Sequence, residues 1–397
     1  MDLDTLAALL SESGQALLDA ADRAYDGHNA LAVSASLRTT NRSEVVAAAL
    51  TQVDLRRRAA AKFGERASLM FFTRDALEQA TRQTVAAHRA SRVTRLVGTG
   101  GEGGTVIDLG CGIGGDLIAL RTAGVEAAGI ELDPLRAAVA RANLAALGLG
   151  GSVTTGDATM ARLDGFDVAY ADPTRRRGER RIFDPTGFIP PWPFVETLLR
   201  RRSVVKTAPG IPHEMVPDGV EAEWVSDGSG VKETALWSPG LATARRRATL
   251  LPAGASLSDV DDPGRVGVLP PGGFLYEPAG AVIRAGLVGA VAVIVHGGLL
   301  DARIAYVTSG SAVPTPFARC YRVLDVLPYQ EKRLRAALAT RGVGPLTIKK
   351  RGVDIVPEVL RKRLALRGDA PATIVLTRAA GRAIVLLVDP VLPTNPA

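Results

Sequence analysis

The sequence predicts an α/β protein. Its centre is a mostly parallel sheet with helices on both faces and an antiparallel hairpin at the edge. A helical domain precedes the sheet and a small basic α/β module follows it. Three observations carry this expectation. Strand and helix patterns alternate from residue 104 to about 207, the signature of parallel strands joined by helical crossovers. Residues 1 to about 95 show helix-forming composition with helical apolar spacing. Positive charge is concentrated near the C-terminus: 13 Lys and Arg face 3 Asp and Glu between Lys332 and Arg382, whereas the whole chain has 48 against 41.

Taken in order, Thr5–Leu10, Glu44–Leu50, Leu55–Phe63 and Arg74–Ala90 supply helices of a domain over 1–97. The glycine-rich stretch Gly98–Gly104 is a loop that delivers the chain to the first strand. In a core over 98–240, strands are expected at 105–109, 126–131, 152–155, 167–171 and 203–207, with helices near 114–123 and 134–147. Strands at 220–226 and 231–238 flank the tight turn Ser226-Asp-Gly-Ser-Gly230, which makes the edge hairpin. Residues 241–320 read as a β-rich connecting region with proline-rich loops. The last domain, 321–397, holds helices at 329–341 and 357–365, then a hairpin from Ala372–Arg378 and Arg382–Val388.

The chemistry concentrates after the first strand, in Val106-Ile-Asp-Leu-Gly-Cys-Gly-Ile-Gly-Gly-Asp116. Glycines at 110, 112 and 114 allow a sharp turn and close approach of main chain to a ligand. The following helix offers free N–H groups to the same spot, which favours an anion. Three later strands also end in carboxylates: Gly129-Ile-Glu-Leu-Asp-Pro134 with Glu131, Thr155-Gly-Asp-Ala158 with Asp157, and Asp167-Val-Ala-Tyr-Ala-Asp-Pro173 with Asp172. Ligands of open sheets bind beyond the carboxyl ends of the strands, where all four motifs lie. From the residues alone this is a nucleotide-type cofactor site. Gly110-x-Gly112-x-x-Gly115 with Glu131 about twenty residues on fits a dinucleotide site. Plainer roles apply to several neighbours: Asp133-Pro134 as N-cap and first turn of a helix, Asp116 as a dipole partner, Asp157 as a turn acid, and Cys111 as a small turn residue.

The four motifs, in this order and spacing, resemble those of the class I S-adenosylmethionine methyltransferases, whose sheet is Rossmann-like with an antiparallel edge hairpin. The resemblance implies S-adenosyl-L-methionine as cofactor, held by Asp108, Gly110, Cys111, Gly112, Gly114, Glu131, Leu132, Asp157 and Ala158. Asp108 would lie near the methionine amino group, Glu131 at the ribose hydroxyls and Asp157 at the adenine. Asp172 and Pro173 fall at the family's substrate-facing, catalytic motif. There, exocyclic-amine enzymes commonly carry Asn/Asp/Ser-Pro-Pro-aromatic. Asp172-Pro-Thr-Arg175 keeps the first two residues and lacks the aromatic, which makes it closer to the Asp-Pro-Pro-Arg of some RNA guanine methyltransferases. Lys62-Phe, Met70-Phe-Phe-Thr-Arg74 and Val85-Ala-Ala-His-Arg89 are similar in layout to the trimethylguanosine synthase family, so Phe71 or Phe72 could supply the missing stacking face. Ile348-Lys-Lys-Arg-Gly-Val-Asp354 and Leu364-Ala-Leu-Arg-Gly-Asp369 resemble a THUMP-like domain appended to bacterial methyltransferases, which implies RNA as partner.

Substrate contacts are expected from Thr174, Arg175 and Arg176 in the loop Arg175-Arg-Arg-Gly-Glu-Arg-Arg181, since guanidinium forks match phosphate and stack on bases. Lys206 ends the fifth strand at the pocket rim, either touching substrate or forming a structural ion pair. Lys349, Lys350 and Arg351 are expected at an RNA surface, because cations that neutralise phosphates release counterions. The preferred reading is therefore a methyltransferase acting on a nitrogen of an RNA base, guanine favoured. The alternatives are a small-molecule methyltransferase with a merely basic tail, an RNA-binding protein with a non-catalytic cofactor site, and, third, a dehydrogenase.

Composition excludes other classes. Cys111 and Cys320 are the only cysteines, so no disulfide framework or cysteine-rich metal site is expected. His213 and His296 lack partners at ligand spacing, and no metal is implied. The best apolar run, Ala285–Val295, is too short to span a bilayer. The acidic start lacks the basic region of a secretory signal. A cytoplasmic protein without a membrane partner is expected, its oligomeric state open.

Overall fold

The computed structural model describes residues 1–98, 104–175, 188–228 and 230–391. The chain divides into two compact units: the first holds 1–221 and 233–243, the second 222–232 and 244–397.

The first unit begins with six helices: α1 (Leu3–Leu10), α2 (Glu12–Ala24), α3 (Ala30–Leu37), α4 (Ser43–Phe63), α5 (Arg74–Gln79) and α6 (Gln83–Val97). Then strand and helix alternate: β1 (Thr105–Leu109), α7 (Gly115–Thr122), β2 (Glu126–Glu131), α8 (Pro134–Ala146), β3 (Ser152–Thr155) and β4 (Val168–Ala171). A two-stranded ribbon, β5 (Thr174–Arg175) with β6 (Phe188–Ile189), leads to α9 (Trp192–Leu198) and β7 (Ser203–Thr207). Five parallel strands lie in the order β3-β2-β1-β4-β7. Every residue of β4 is buried, as expected for a strand covered on both faces. Asp133 caps α8, its Oδ1 accepting from the N–H groups of Leu135 and Arg136, and Pro134 fills the first helical position.

Two further strands follow, β8 (Glu221–Asp227) and β9 (Gly230–Trp237). β9 runs antiparallel to β7, the reversed strand expected at this place. The expected edge is not where the strands stop: β8 carries β10 (Arg246–Leu251) in parallel, and β10 carries β11 (Ala255–Ser258) antiparallel.

The N-terminal helices belong to the same core as the sheet. Leu6, Leu18, Val46 and Phe63 share one buried cluster with Val106, Leu117, Val139 and Val204. Two buried amides join them. Asn143 of α8 accepts from the Phe71 N–H through Oδ1 at 2.6 Å, and its Nδ2 donates to the carbonyls of Phe71 and Ile113. Gln52 of α4 does the same for Phe72, at 2.9 and 2.8 Å. The extended segment 70–72 thus pairs its main chain with side chains, as buried peptide groups must.

In the second unit, β12 (Phe274–Pro278), β13 (Gly298–Asp301), β14 (Ile304–Ser309), β15 (Ala318–Pro328), β16 (Val343–Lys350), β17 (Ala370–Ala379) and β18 (Arg382–Pro390) form one sheet, ordered β13-β14-β12-β15-β18-β17-β16. Only β16 and β17 pair in parallel, which requires the crossover helix α13 (Pro357–Leu364) between them. Along β17, Ile374 and Leu376 pack with Leu334, Leu338, Leu360 and Leu364 of α12 (Glu331–Thr340) and α13, while Val375 joins Leu275, Tyr306 and Tyr321 on the other face. This is the period-2 alternation of a two-sided strand. The short helix α10 (Gly280–Arg284) precedes the apolar run 285–295, and α11 (Val288–Ile294) lies within it. Residues expected to be a connecting region and a separate module therefore share one sheet. No described helix is long and apolar enough to cross a membrane.

Candidate active site

The glycine turn hangs on the end of β2. The N–H groups of Gly110 and Cys111 both donate to the Ile130 carbonyl, at 2.8 and 3.0 Å. Gly112 sits at φ 57°, and a β-carbon there would meet no atom within 4 Å, so glycine is required by conformation rather than by space. At Gly129 space is the requirement: a β-carbon would lie 2.8 Å from the Cys111 sulfur. Cys111 is buried against that strand, and burial pushes its thiol well up, so its part is to pack the turn. Gly114 caps α7, a β-carbon there would meet Ala140, and the residue does not line the cavity.

Beyond the strand ends lies a cavity of about 700 Å³. Asp108, Gly110, Cys111, Gly112, Glu131, Leu132, Asp157, Ala158 and Asp172 all line it. Glu131 binds its own scaffold, Oε2 accepting from the Gly112 N–H at 2.8 Å and Oε1 from the Asp133 N–H at 3.0 Å. Asp157 caps the turn at 158–160, its Oδ1 accepting from the Thr159 N–H and hydroxyl, and those bonds hold its carboxyl below the ordinary range. The turn role and the wall position are compatible, because Oδ2 stays open. Asp108 differs from both. It is 1% exposed, and neither carboxylate oxygen has a hydrogen-bond partner. Burial above all, then the neighbouring charges of Asp116 and Asp172, push its carboxyl well above the usual range. Such an orphaned acid is costly unless a donor completes it. Among the described residues, six carboxylates line the cavity against one cation, Arg136, which suits a positively charged ligand.

Asp172, just past β4, is tied to a chain of buried charges that no local motif announces. Lys206, at the end of β7, donates to Asp172 Oδ2 and, at 3.1 Å, to the Thr81 hydroxyl. Thr81 donates to Asp116 Oδ2 at 3.0 Å; Asp116 pairs with Arg89, and Arg89 with Glu233 at 2.5 Å. Burial acts to lower the Lys206 pKa, but Asp172, Glu233 and Asp116 outweigh it and hold the ammonium above its ordinary value. Arg89 also stacks over the ring of Tyr170, 4.8 Å from its centroid, and the Tyr170 hydroxyl, which lies buried at the cavity, has no partner. Asp116 is therefore more than a dipole partner for α7. A sequence signal for Arg89 does exist: Val85, Arg89, Arg92 and Val93 fall on the buried stripe of α6, where an arginine needs an acid.

Other expectations are corrected. Phe71 and Phe72 are 2% and 0% exposed, packed in the core and pinned through their main chain, so neither offers a stacking face to a substrate. Pro173 is buried and does not line the cavity. In the second unit, Lys349 pairs with Glu277 at 2.7 Å and Arg351 lies over the Tyr306 ring, so both are engaged internally; Lys350 is exposed. Thr174 and Arg175 form the strand β5, and Arg176 with the rest of its arginine loop lies outside the described residues. Among the described residues, no group of three or more His, Cys, Asp or Glu is placed to hold a metal.

A family model described as THUMP domain-like matches residues 318–390, and one described only as a domain of unknown function matches 2–59. A crystal structure named as a methyltransferase from Porphyromonas gingivalis W83 superposes with a TM-score of 0.75 at 23% identity, covering 93% of this chain and 100% of that one, which shows a shared fold. Two strains of Mycobacterium tuberculosis, CDC 1551 and H37Rv, carry an uncharacterized S-adenosylmethionine-dependent methyltransferase 42% identical over 337 residues, 82% of this chain and 90% of the relative. Kinship of that extent shows the family, and the chain belongs to the S-adenosylmethionine-dependent methyltransferases.

Proposed function

We propose that this methyltransferase places its methyl group on a nitrogen of an RNA base, guanine in preference. The observation that carries the reading is Asp172, a carboxylate on the cavity wall with one oxygen committed to Lys206 and the other open. A carboxylate so placed accepts a hydrogen bond from an amine and aims the nitrogen lone pair, and positioning is where much of the rate of a displacement arises. Guanine offers such an amine at N2.

The cofactor, when bound, supplies an electrophilic methyl on a sulfonium. The chain's own residues fit it. Asp108 would accept from the methionine ammonium, which answers its two orphaned oxygens. Glu131 would accept from ribose hydroxyls and Asp157 from the adenine amine. With Phe71 and Phe72 in the core, Ile189, Pro190 and Pro191 are among the residues that give the cavity wall apolar surface.

RNA as the carrier of the base is supported by the second unit. On and around α12, β16 and α13, Lys332, Arg333, Lys350, Lys362 and Arg367 are exposed and make no ion pair among the described residues. Phosphates would release counterions there. The THUMP domain-like match covers the same stretch. The test is nucleoside mass spectrometry of RNA from cells with and without the gene, with in vitro transfer from labelled cofactor. Loss of one methylated guanosine in the deletion strain, restored by the enzyme, is the expected result. Unchanged RNA nucleosides with label entering a small metabolite would reject it.

A further inference from the structure

We infer that Lys206 is a positioning residue for methyl transfer, aiming Asp172 at the acceptor while Thr81, from the segment between α5 and α6, fixes Lys206 in turn. The inference rests on the assignment of Asp172 to the acceptor site.

Two roles were open to Lys206, contact with substrate or an ion pair that only supports the fold. Geometry speaks against the first. The Lys206 side chain is 15% exposed and does not line the cavity, whereas both groups it binds, Asp172 and Thr81, do. It therefore stands behind the wall, with its partners in front.

Chemistry then fixes the direction of every bond in the chain. An ammonium has donors only and a carboxylate has acceptors only. Lys206 must donate to Asp172 and to Thr81. The single Thr81 proton must go to Asp116, so its lone pair is what faces Lys206. Asp116 is held by Arg89, and Arg89 by Glu233. Among Lys206, Thr81, Asp116, Arg89 and Glu233, displacing any one breaks a bond that its neighbour depends on, and the order of charges alternates along the chain. The flexible lysine stem, four carbons long, would otherwise sample many positions. With its ammonium held by two partners, it binds Asp172 through Oδ2 and leaves Oδ1 free for the acceptor. A displacement is sensitive to such aim, since about 1 Å of misplacement can lower a rate ~100-fold.

A merely structural pair would behave differently. Replacing a buried ion pair member by an apolar residue changes stability, but it leaves the turnover of the surviving folded protein unaltered. The experiment compares Lys206→Met, Lys206→Arg, Thr81→Val and Asp172→Asn in the full chain, with labelled cofactor and RNA from a deletion strain. Cofactor Kd is measured by calorimetry and the folded fraction by circular dichroism. Expected for Lys206→Met is a fall in kcat of ~100-fold, with the cofactor Kd within about twofold and recovery of at least tenfold in Lys206→Arg. Thr81→Val should lower kcat by about tenfold at unchanged cofactor Kd, and it carries the test if Lys206→Met does not fold. Full kcat in folded Lys206→Met or Thr81→Val, with Asp172→Asn inactive, overturns the inference and leaves Asp172 in place. Full kcat in Asp172→Asn removes Asp172 from the acceptor site, and the inference with it.

Discussion

Asp108→Asn should make the ligand-free protein more stable while it weakens cofactor binding. Asparagine keeps the size of the side chain and removes its charge. In the folded protein Asp108 is buried, unbonded and surrounded by like charge, so its carboxyl titrates well above the usual range. In the unfolded chain it ionises near pH 4. Above that value the folded state holds a proton that the unfolded state has released, so stability falls as pH rises from about 4 through the folded pKa. Asparagine abolishes this contribution. The variant should match the wild type near pH 4 and exceed it at pH 8, by about 1–3 kcal/mol if one uncompensated buried polar group is relieved. At roughly 2–4 °C per kcal/mol, thermal melts resolve that gap. Binding should move the other way. A hydrogen bond to a charged group contributes about 1.5–3 kcal/mol, so the Kd for S-adenosylmethionine should rise by about 10- to 150-fold. Calorimetric titration measures it. An unchanged Kd would refute the assignment of Asp108 to the ligand ammonium, and a pH-independent stability gap would refute the account of its burial.

Arg89→Met strands Asp116 and Glu233 in the interior and should cost about 3–5 kcal/mol in denaturant unfolding; a loss under 1 kcal/mol would mean water reaches the pair. Asn143→Leu removes three buried hydrogen bonds and should cost about 2–4 kcal/mol, with proteolysis first appearing near residues 70–72. Joint replacement of Lys332, Arg333 and Lys362 by alanine should reduce the slope of log affinity for single-stranded RNA against log salt by about 2. The same variant should leave the Kd for the cofactor unchanged; a slope equal to that of the wild type would place the RNA elsewhere.

The parallel sheet and its acidic rim are legible because their signals are local. β1, β2, β3 and β7 occupy the expected spans residue for residue, since a glycine, an acid or a proline marks the end of each. What stays hidden is pairing at a distance. Glu233 lies 144 residues from Arg89, and Phe71 lies 72 from Asn143. The boundary expected at 320 cuts through β15, an 11-residue strand that pairs with β12 on one side and β18 on the other. Alternation reports which face of a strand is buried, and says nothing of which strand lies beside it. Phe71 and Phe72 illustrate the same limit. Two adjacent aromatics before a helix suit a stacking platform or a core equally well, and only the amides of Asn143 and Gln52 decide between them.

Those two amides also bear on how the protein can be dissected. Because they bolt segment 70–72 to α4 on one side and α8 on the other, the leading hundred residues are no detachable accessory. A fragment begun at residue 104 would bare the apolar flank of α7 and α8, strip Thr81 and Arg89 from the charges they serve, and clump rather than yield a trimmed catalyst.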